Sequence, residues 1–412
     1  MKNCIIAQSG GPTVAINASL AGVLKGNEQS HQFGTIYGAL NGITGILNDR
    51  LLNLSEKIDT IPNFIEKLKV TPAMYLGSCR YKLPTIESDP HTYQRIFDYF
   101  HEKDIDTFFY IGGNDSMDTV LKLSDYAAKI GSDVKVIGIP KTIDNDLCHT
   151  DHTPGFGSAA KYIASTIREI AHDTFIYAIK SVTIVEIMGR DAGWLTAAAA
   201  LARTEYSTAP QLIYLPEVAF DKDACIRDVK ALLEKTNNVI IAISEGIRDS
   251  KGNYISAAEA GNDTFGHSQL SGAGKALEYI LKDALSVKVR SVEVNVLQRC
   301  ASHLASLTDL NESMALGEKA CELSTEGASG VMVTVNRTSD APYTTEIGSF
   351  DIHNIANEVR NVPREWINEA GNDVTDEMIT YLRPLIAGEP EITFEDGLPT
   401  YLNIAHLLPE HQ

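Results

Sequence analysis

Short, continuously apolar runs alternate with helical patterns along most of the chain, and this alternation constrains the fold more than any other feature. "CIIA" (4–7), "DTFFYI" (106–111), "VKVIGI" (134–139), "SVTIVEI" (181–187), "QLIYL" (211–215), "NVIIAIS" (238–244), "SVEVNV" (291–296) and "GVMVTV" (330–335) each read as a strand. Helical stretches follow most of them, near 13–26, 116–129, 157–171, 195–202, 221–235 and 272–284. Strands without a polar face are buried on both sides, which requires a parallel sheet covered by helices on each face. The fold class is therefore α/β, doubly wound. At 412 residues and 44% hydrophobic content, more than one core is expected.

A doubly wound sheet holds its ligand beyond the carboxyl ends of its strands. The polar motifs "SGGP", "GGNDS", "PKTIDND", "MGRDAG", "SEG" and "LQR" all fall at such ends. They imply one site, or two facing sites across a cleft. The formal charge of −19 argues against nucleic acid as a partner, because that binding depends on Lys and Arg meeting phosphates. A small anion needs only a few arginines. The six cysteines are widely spaced with no CxxC pair, as for reduced thiols. The apolar run in "MKNCIIAQSGG" is too short for a signal peptide, and no stretch of ~18 apolar residues would span a membrane. A cytoplasmic location with no membrane partner is expected.

"SGGPT" (9–13) and "IGGNDS" (111–116) put paired glycines between a strand and a helix, where backbone N–H groups face an anion. Each is equally a tight turn with Asp115 or Ser116 as helix cap. "SGAGKAL" (271–277) is not a phosphate loop, since Gln269 stands where the first glycine is needed and no Ser or Thr follows Lys275. "PKTIDND" (140–146) crowds Asp144, Asp146 and Lys141 into one turn. Neighbouring carboxylates raise each other's pKa, whereas Lys141 or a cation lowers them. That suits one carboxylate to base work and the other to a hydrated cation. Arg190 in "MGRDAG" opens a helix, which is unfavourable unless an anion accompanies it. Arg290 and Arg299 flank "SVEVNV" and could hold a phosphate as a pair, or serve as rim charges. Glu245 ends a strand, placed to accept sugar hydroxyls or cap a helix.

In this order and spacing, "SGG", "GSCR", "GGNDS", "TIDND", "VEIMGR", "ISEG" and "LQR" resemble the phosphofructokinase family. The resemblance implies two Rossmann-like α/β domains with the active site in the cleft between them. A donor domain would comprise 1–155 with about 298–350, and a sugar-phosphate domain 156–297 with about 351–412. It implies phosphoryl transfer to the 1-hydroxyl of fructose 6-phosphate with Mg2+ as cofactor, in glycolysis or gluconeogenesis. Asp144 would be the base, Asp146 its neighbour near the metal, and Thr142 a contact to the phosphoryl in flight. Met188, Gly189, Arg190, Glu245, Arg290 and Arg299 would bind the sugar phosphate, with Arg290 reaching across a subunit boundary of a homodimer or homotetramer. Gly11, Arg80, Gly113, Asp115 and Ser116 would face the donor, and Asn114 and Asp115 the metal.

The resemblance also bears on the donor. Asp115 and Lys141 stand where the ATP-using bacterial members carry glycine, and match the pyrophosphate-dependent type. A carboxylate ~4 Å from a nucleotide phosphate costs on the order of 4 kcal/mol at an effective dielectric of 20. Lys141 is expected to pair with Asp115 and supply a cation to the pyrophosphate leaving group. Pyrophosphate is thus the expected donor. The alternatives are an ATP-dependent phosphofructokinase and a non-catalytic sugar-phosphate-binding homologue. Asn114 replaces a family aspartate, Val296 a histidine that touches the sugar phosphate, and Ser181 an arginine, with Lys180 beside it. These positions leave sedoheptulose 7-phosphate open as a further acceptor. The stretch between Glu245 and Arg290 resembles the helical insertion of pyrophosphate-type members. Ala21 and Thr236 thin the bacterial effector pocket, so no strong response to ADP or phosphoenolpyruvate is expected.

Overall fold

The computed structural model describes residues 1–256, 272–355 and 358–408. Two sheets organise the chain. The first is built from β1 (Asn3–Gln8), β2 (Ile36–Ala39), β3 (Leu51–Asn53), β4 (Ile105–Gly112) and β5 (Lys135–Pro140). The second is built from β6 (Ser181–Ile187), β7 (Leu212–Tyr214), β8 (Asn238–Ser244) and β9 (Lys288–Glu293). The chain then returns to the first sheet with β10 (Val331–Asp340) and β11 (Tyr343–Asp351). The resulting orders are β11-β10-β5-β4-β1-β2-β3 and β7-β8-β6-β9.

The central pairings are parallel, as β1 with β4, β4 with β5, and β6 with β8 and β9. The edges of the first sheet are not: β2–β3 and β10–β11 are antiparallel. The fold is thus doubly wound α/β, with two antiparallel edges that the apolar-run reading did not include. Helices cover both faces. Ile16–Ser30 and Leu307–Thr325 pack on one face of the first sheet through Leu20, Leu24 and Leu316, and Pro90–Glu102 and Asn114–Ile130 on the other through Phe100 and Val120. The second sheet lies between Phe156–Phe175 on one side and the helices Lys222–Lys235 and Ala273–Ala284 on the other.

Strand order reverses beside β1 in the first sheet and beside β6 in the second. Such switch points open a crevice at the carboxyl ends. The loops after β1, β4 and β5 come from one sheet and those after β6 and β8 from the other. The segment 360–385 packs with the second sheet through Val362, Met378 and Leu385. Beyond Gly388 the tail forms a short two-stranded ribbon at 394–399, and Leu402 packs into the core of the first sheet. Residues 257–271, which include much of the expected insertion and Gln269 and Ser271 of the rejected phosphate loop, lie outside the described residues.

The strand expected at 291–296 is displaced. β9 spans Lys288–Glu293 and the chain turns into a 3-10 helix at Asn295–Arg299. Val294 already has helical dihedrals, φ −71° and ψ −33°, and Asn295 follows at φ 49°, so the extended run ends despite the alternating valines.

Candidate active site

Two cavities adjoin at the carboxyl ends of both sheets. The smaller, of about 250 Å³, is bounded on its far side by Met188 and Glu245. The larger, of about 680 Å³, extends past Arg80, Asn114, Asp115 and Tyr254. Gly11, Lys141, Thr142, Asp144, Arg190 and Arg299 line both, so they form the junction.

The loop after β1 is held close to the loop after β5. A Cβ on Gly10, at φ 81°, would lie 3.1 Å from the Lys141 ammonium, and one on Gly11 would lie 3.2 Å from the Arg299 guanidinium. Glycine suits the left-handed backbone of Gly10, and a side chain at either position would crowd the two cations at the junction. The first turn of the helix Ile16–Ser30 is already capped, because the Thr13 hydroxyl accepts from the N–H groups of Ala15 and Ile16 at 3.2 and 3.0 Å. The loop before this helix still lines both cavities through Gly11. The helix Asn114–Ile130 is preceded by Gly113, and no side chain caps it. Neither Asp115 nor Ser116 is the cap. Asp115 is exposed at the cavity mouth, and buried Ser116 shares a 2.6 Å hydrogen bond with Ser9.

Lys141 is buried and donates to the Gly11 carbonyl at 2.8 Å. Burial pulls its pKa down to about 8, with Asp144 opposing this and Arg299 reinforcing it. The expected pairing with Asp115 is not formed: among the described residues no ion pair joins them, and Asp144 is the acidic partner felt most by Lys141. Lys141 points inward beneath the glycines while Asp115 remains on the exposed first turn.

Asp144 is raised by burial, against the pull of Lys141, Arg190 and Arg299. Asp146 is raised by burial and then by the Asp144 carboxylate, against Arg360 and Lys141. These are two coupled acids of which one ionises before the other. Asp146 accepts a 3.3 Å hydrogen bond from the Asn114 amide, whose own oxygen is buried without a partner. On the other side of the junction, Glu245 accepts from the Gly189 N–H at 3.3 Å and is pushed up to about 7, first by burial. Gly189 thus holds Glu245 rather than lining the cavity. Arg190 pairs with Asp191 at 2.8 Å, and Asp191 also binds Arg248 at 2.6 Å. Arg299 lies close enough to Arg80 for the two charges to repel. A cluster of cations held against repulsion in a cleft is arranged for a multiply charged anion.

Arg290 is not part of this cleft. It lies before the middle of β9, bonded to Thr183 and Thr174 at 3.1 and 3.0 Å, and lines a separate cavity of about 90 Å³ with Lys288, Tyr177 and Ile179. Arg290 and Arg299 do not act as a pair within one chain. Conversely, Tyr81, Tyr110, Asp191, Tyr254 and Val359 line the larger cavity without having been singled out. Asp191 lies within "MGRDAG" and Tyr81 adjoins "GSCR", whereas Tyr254 and Val359 belong to no motif.

No group of three or more His, Cys, Asp or Glu gathers as a metal cluster among the described residues. Magnesium bound with phosphates needs only one or two carboxylates and keeps its waters. The unpartnered Asn114 oxygen beside Asp146 fits that requirement.

Fold and cleft together define a phosphoryl-transfer enzyme with two doubly wound sheets facing one another. The chain belongs to the phosphofructokinase family, whose model matches residues 3–324. It is 41% identical over 407 residues to a Halomonas elongata protein named pyrophosphate–fructose 6-phosphate 1-phosphotransferase, covering 98% of this chain and 96% of that one. A Xanthomonas campestris protein of the same name is 41% identical over 98% of this chain and 96% of its own length. A pyrophosphate-dependent phosphofructokinase of known structure, from Nitrosospira multiformis, superposes with a TM-score of 0.88 at 37% identity, covering 97% and 96% of the two chains. No helix among the described residues is long and apolar enough to cross a membrane.

Proposed function

We propose that the protein transfers a phosphoryl group from pyrophosphate to the 1-hydroxyl of fructose 6-phosphate, giving the 1,6-bisphosphate and orthophosphate. The observation that carries this reading is the junction of two cavities at Asp144 and Lys141. The smaller cavity takes the sugar, with Met188, Arg190 and Glu245 around it. The larger takes the donor, against Gly11, Arg80, Gly113, Asp115 and Ser116. Its relatives at about 40% identity carry the name of this activity, which supports the choice of donor.

Asp144 accepts the proton of the 1-hydroxyl as that oxygen bonds to phosphorus. The bridging P–O bond breaks and its electrons leave with orthophosphate. Lys141, fixed on the Gly11 carbonyl, stabilises the charge on that leaving group. Thr142, at the junction, meets the phosphoryl in flight. Asn114 and Asp146 would hold Mg2+, with Asp115 at the mouth. Bound magnesium neutralises charge on the phosphates. Arg290 serves the sugar phosphate of a neighbouring subunit in a homodimer or homotetramer. The division is a donor domain of 1–155 with about 298–350, and a sugar-phosphate domain of 156–297 with the segment 360–385, while Leu402 of the tail packs back on the donor side.

The test is turnover of fructose 6-phosphate with magnesium, comparing pyrophosphate with ATP. Turnover with pyrophosphate, and little with ATP, is expected. Turnover with ATP alone would leave Asp144 as base and overturn the roles given to Lys141 and Asp115. Inactivity with both would overturn the reading.

A further inference from the structure

Arg360 lies outside every recognised motif and outside the cavities, yet it binds both catalytic loops. Its backbone N–H donates to the carbonyl of Asp146 at 2.8 Å. Its guanidinium donates to the Thr150 carbonyl at 2.8 Å and to that of Asp151, which end the same turn. It also reaches the Tyr381 hydroxyl at 3.1 Å. That hydroxyl accepts from Asn145 at 2.9 Å and donates to the Asp151 carbonyl at 2.7 Å. Asn145 is fully buried at φ 56°, between the two catalytic aspartates in sequence. Its side chain holds a left-handed backbone conformation that few residues besides glycine and asparagine adopt readily.

The same arginine reaches the loop after β6. Its carbonyl accepts from the Trp194 indole N–H at 3.0 Å, and its guanidinium lies 4.5 Å from the centre of that ring. Two residues on, the Val362 N–H and the Gly193 N–H share one Glu217 oxygen, at 3.0 and 2.8 Å. Gly193 and Trp194 close the "MGRDAG" loop that presents Arg190.

We infer that Arg360 is a positioning residue that sets the catalytic turn of Asp144 and Asp146 against the Arg190 loop across the cleft. The inference rests on the proposed phosphoryl transfer for its kinetic consequence, but the clamp itself is a property of the chain. A planar, five-donor guanidinium can hold two carbonyls, a hydroxyl and an aromatic face together; an ammonium cannot. Misplacement of reacting groups by about an ångström costs on the order of a hundredfold in rate. Binding of each substrate to its own side of the cleft does not require the two sides to be in register.

The test uses the full-length protein and the variants R360M, R360K and Y381F. R360M is expected to lower kcat by roughly 10- to 100-fold while KM for fructose 6-phosphate stays within about twofold, a loss confined to the transition state. R360K and Y381F, each keeping part of the clamp, should fall between R360M and wild type. Amide hydrogen exchange on the free proteins gives a readout independent of turnover. Exchange should accelerate on the order of tenfold in R360M at 144–153 and 188–194, with the helix Ile16–Ser30 unchanged. Unchanged exchange in both loops, or acceleration spread evenly over the molecule, would overturn the inference. So would a wild-type kcat in R360M. If the wild-type protein turns over neither donor, the functional reading fails and exchange alone decides the clamp.

Discussion

Lys141 pays a stability cost for its position. A lysine whose pKa falls from 10.5 to about 8 binds fewer protons in the folded than in the unfolded chain between those values. Stability therefore rises with pH across that window, and below it the buried ammonium remains a net cost of roughly 3 kcal/mol at most. K141M should unfold at higher urea than wild type at pH 7, and the difference should shrink by pH 10. It should also be inactive, because methionine supplies no charge to the leaving phosphate. In the wild type, kcat/KM for pyrophosphate should fall as pH passes about 8, where the ammonium is lost. A K141M variant less stable than wild type at pH 7 would mean that the bond to Gly11 and the attraction of Asp144 outweigh burial. The motif made the presence of Lys141 at the site legible. Its closeness to Asp144 was legible from the crowded turn, but the pairing with Asp115 drawn from the resemblance was not formed, because the long side chain turns inward to the Gly11 carbonyl.

At the scale of elements, the helix that follows the Gly10–Gly11 loop is fixed by a close crossing far from the cleft. Helices Ile16–Ser30 and Leu307–Thr325 touch backbone to backbone. A Cβ on Gly22 would lie 2.0 Å from the Met314 carbonyl oxygen, and one on Gly317 would lie 2.2 Å from that of Ser19. G317A must push the helices apart, at a cost of about 1–3 kcal/mol. The helix Ile16–Ser30 follows directly from the Gly10–Gly11 loop, so its displacement should raise KM for the donor more than KM for the sugar phosphate. Equal changes in both, with a lower thermal midpoint, would show that the crossing supports the fold without steering the loop. The continuous apolar runs made β6 and β8 readable to the residue, whereas the buried parallel strand β2 is only four residues long, carries Gly38, and was not read. The edge strand β11 left no such signal because its residues are largely exposed or half-exposed. β9 was misplaced because alternating valines continue the strand pattern through a residue whose backbone has already turned. The loops carrying Tyr254 and Arg360 have neither period nor motif; only tertiary packing brings them to the cleft.

The whole molecule presents a site that is rich in cations yet lacks one expected arginine. Arg290 faces away from the cleft of its own chain, beside Tyr177 and Ile179, which are 51% and 57% exposed. Ile176, next in sequence, is 74% exposed. An arginine set among exposed apolar side chains suits a contact between copies of the chain, where it would reach the sugar phosphate bound by the other. This arrangement makes a prediction that no single-chain site can satisfy. D144N should be inactive for want of the base, and R290A severely impaired for want of the phosphate contact. A dimer of one D144N subunit and one R290A subunit would contain one cleft with both defects and one with neither. Denaturing and refolding the two variants together should therefore restore activity to about a quarter of wild type, since half of randomly paired dimers are mixed and one cleft in two is intact. Activity equal to the sum of the separate variants would place the function of Arg290 within its own chain and remove it from the substrate site.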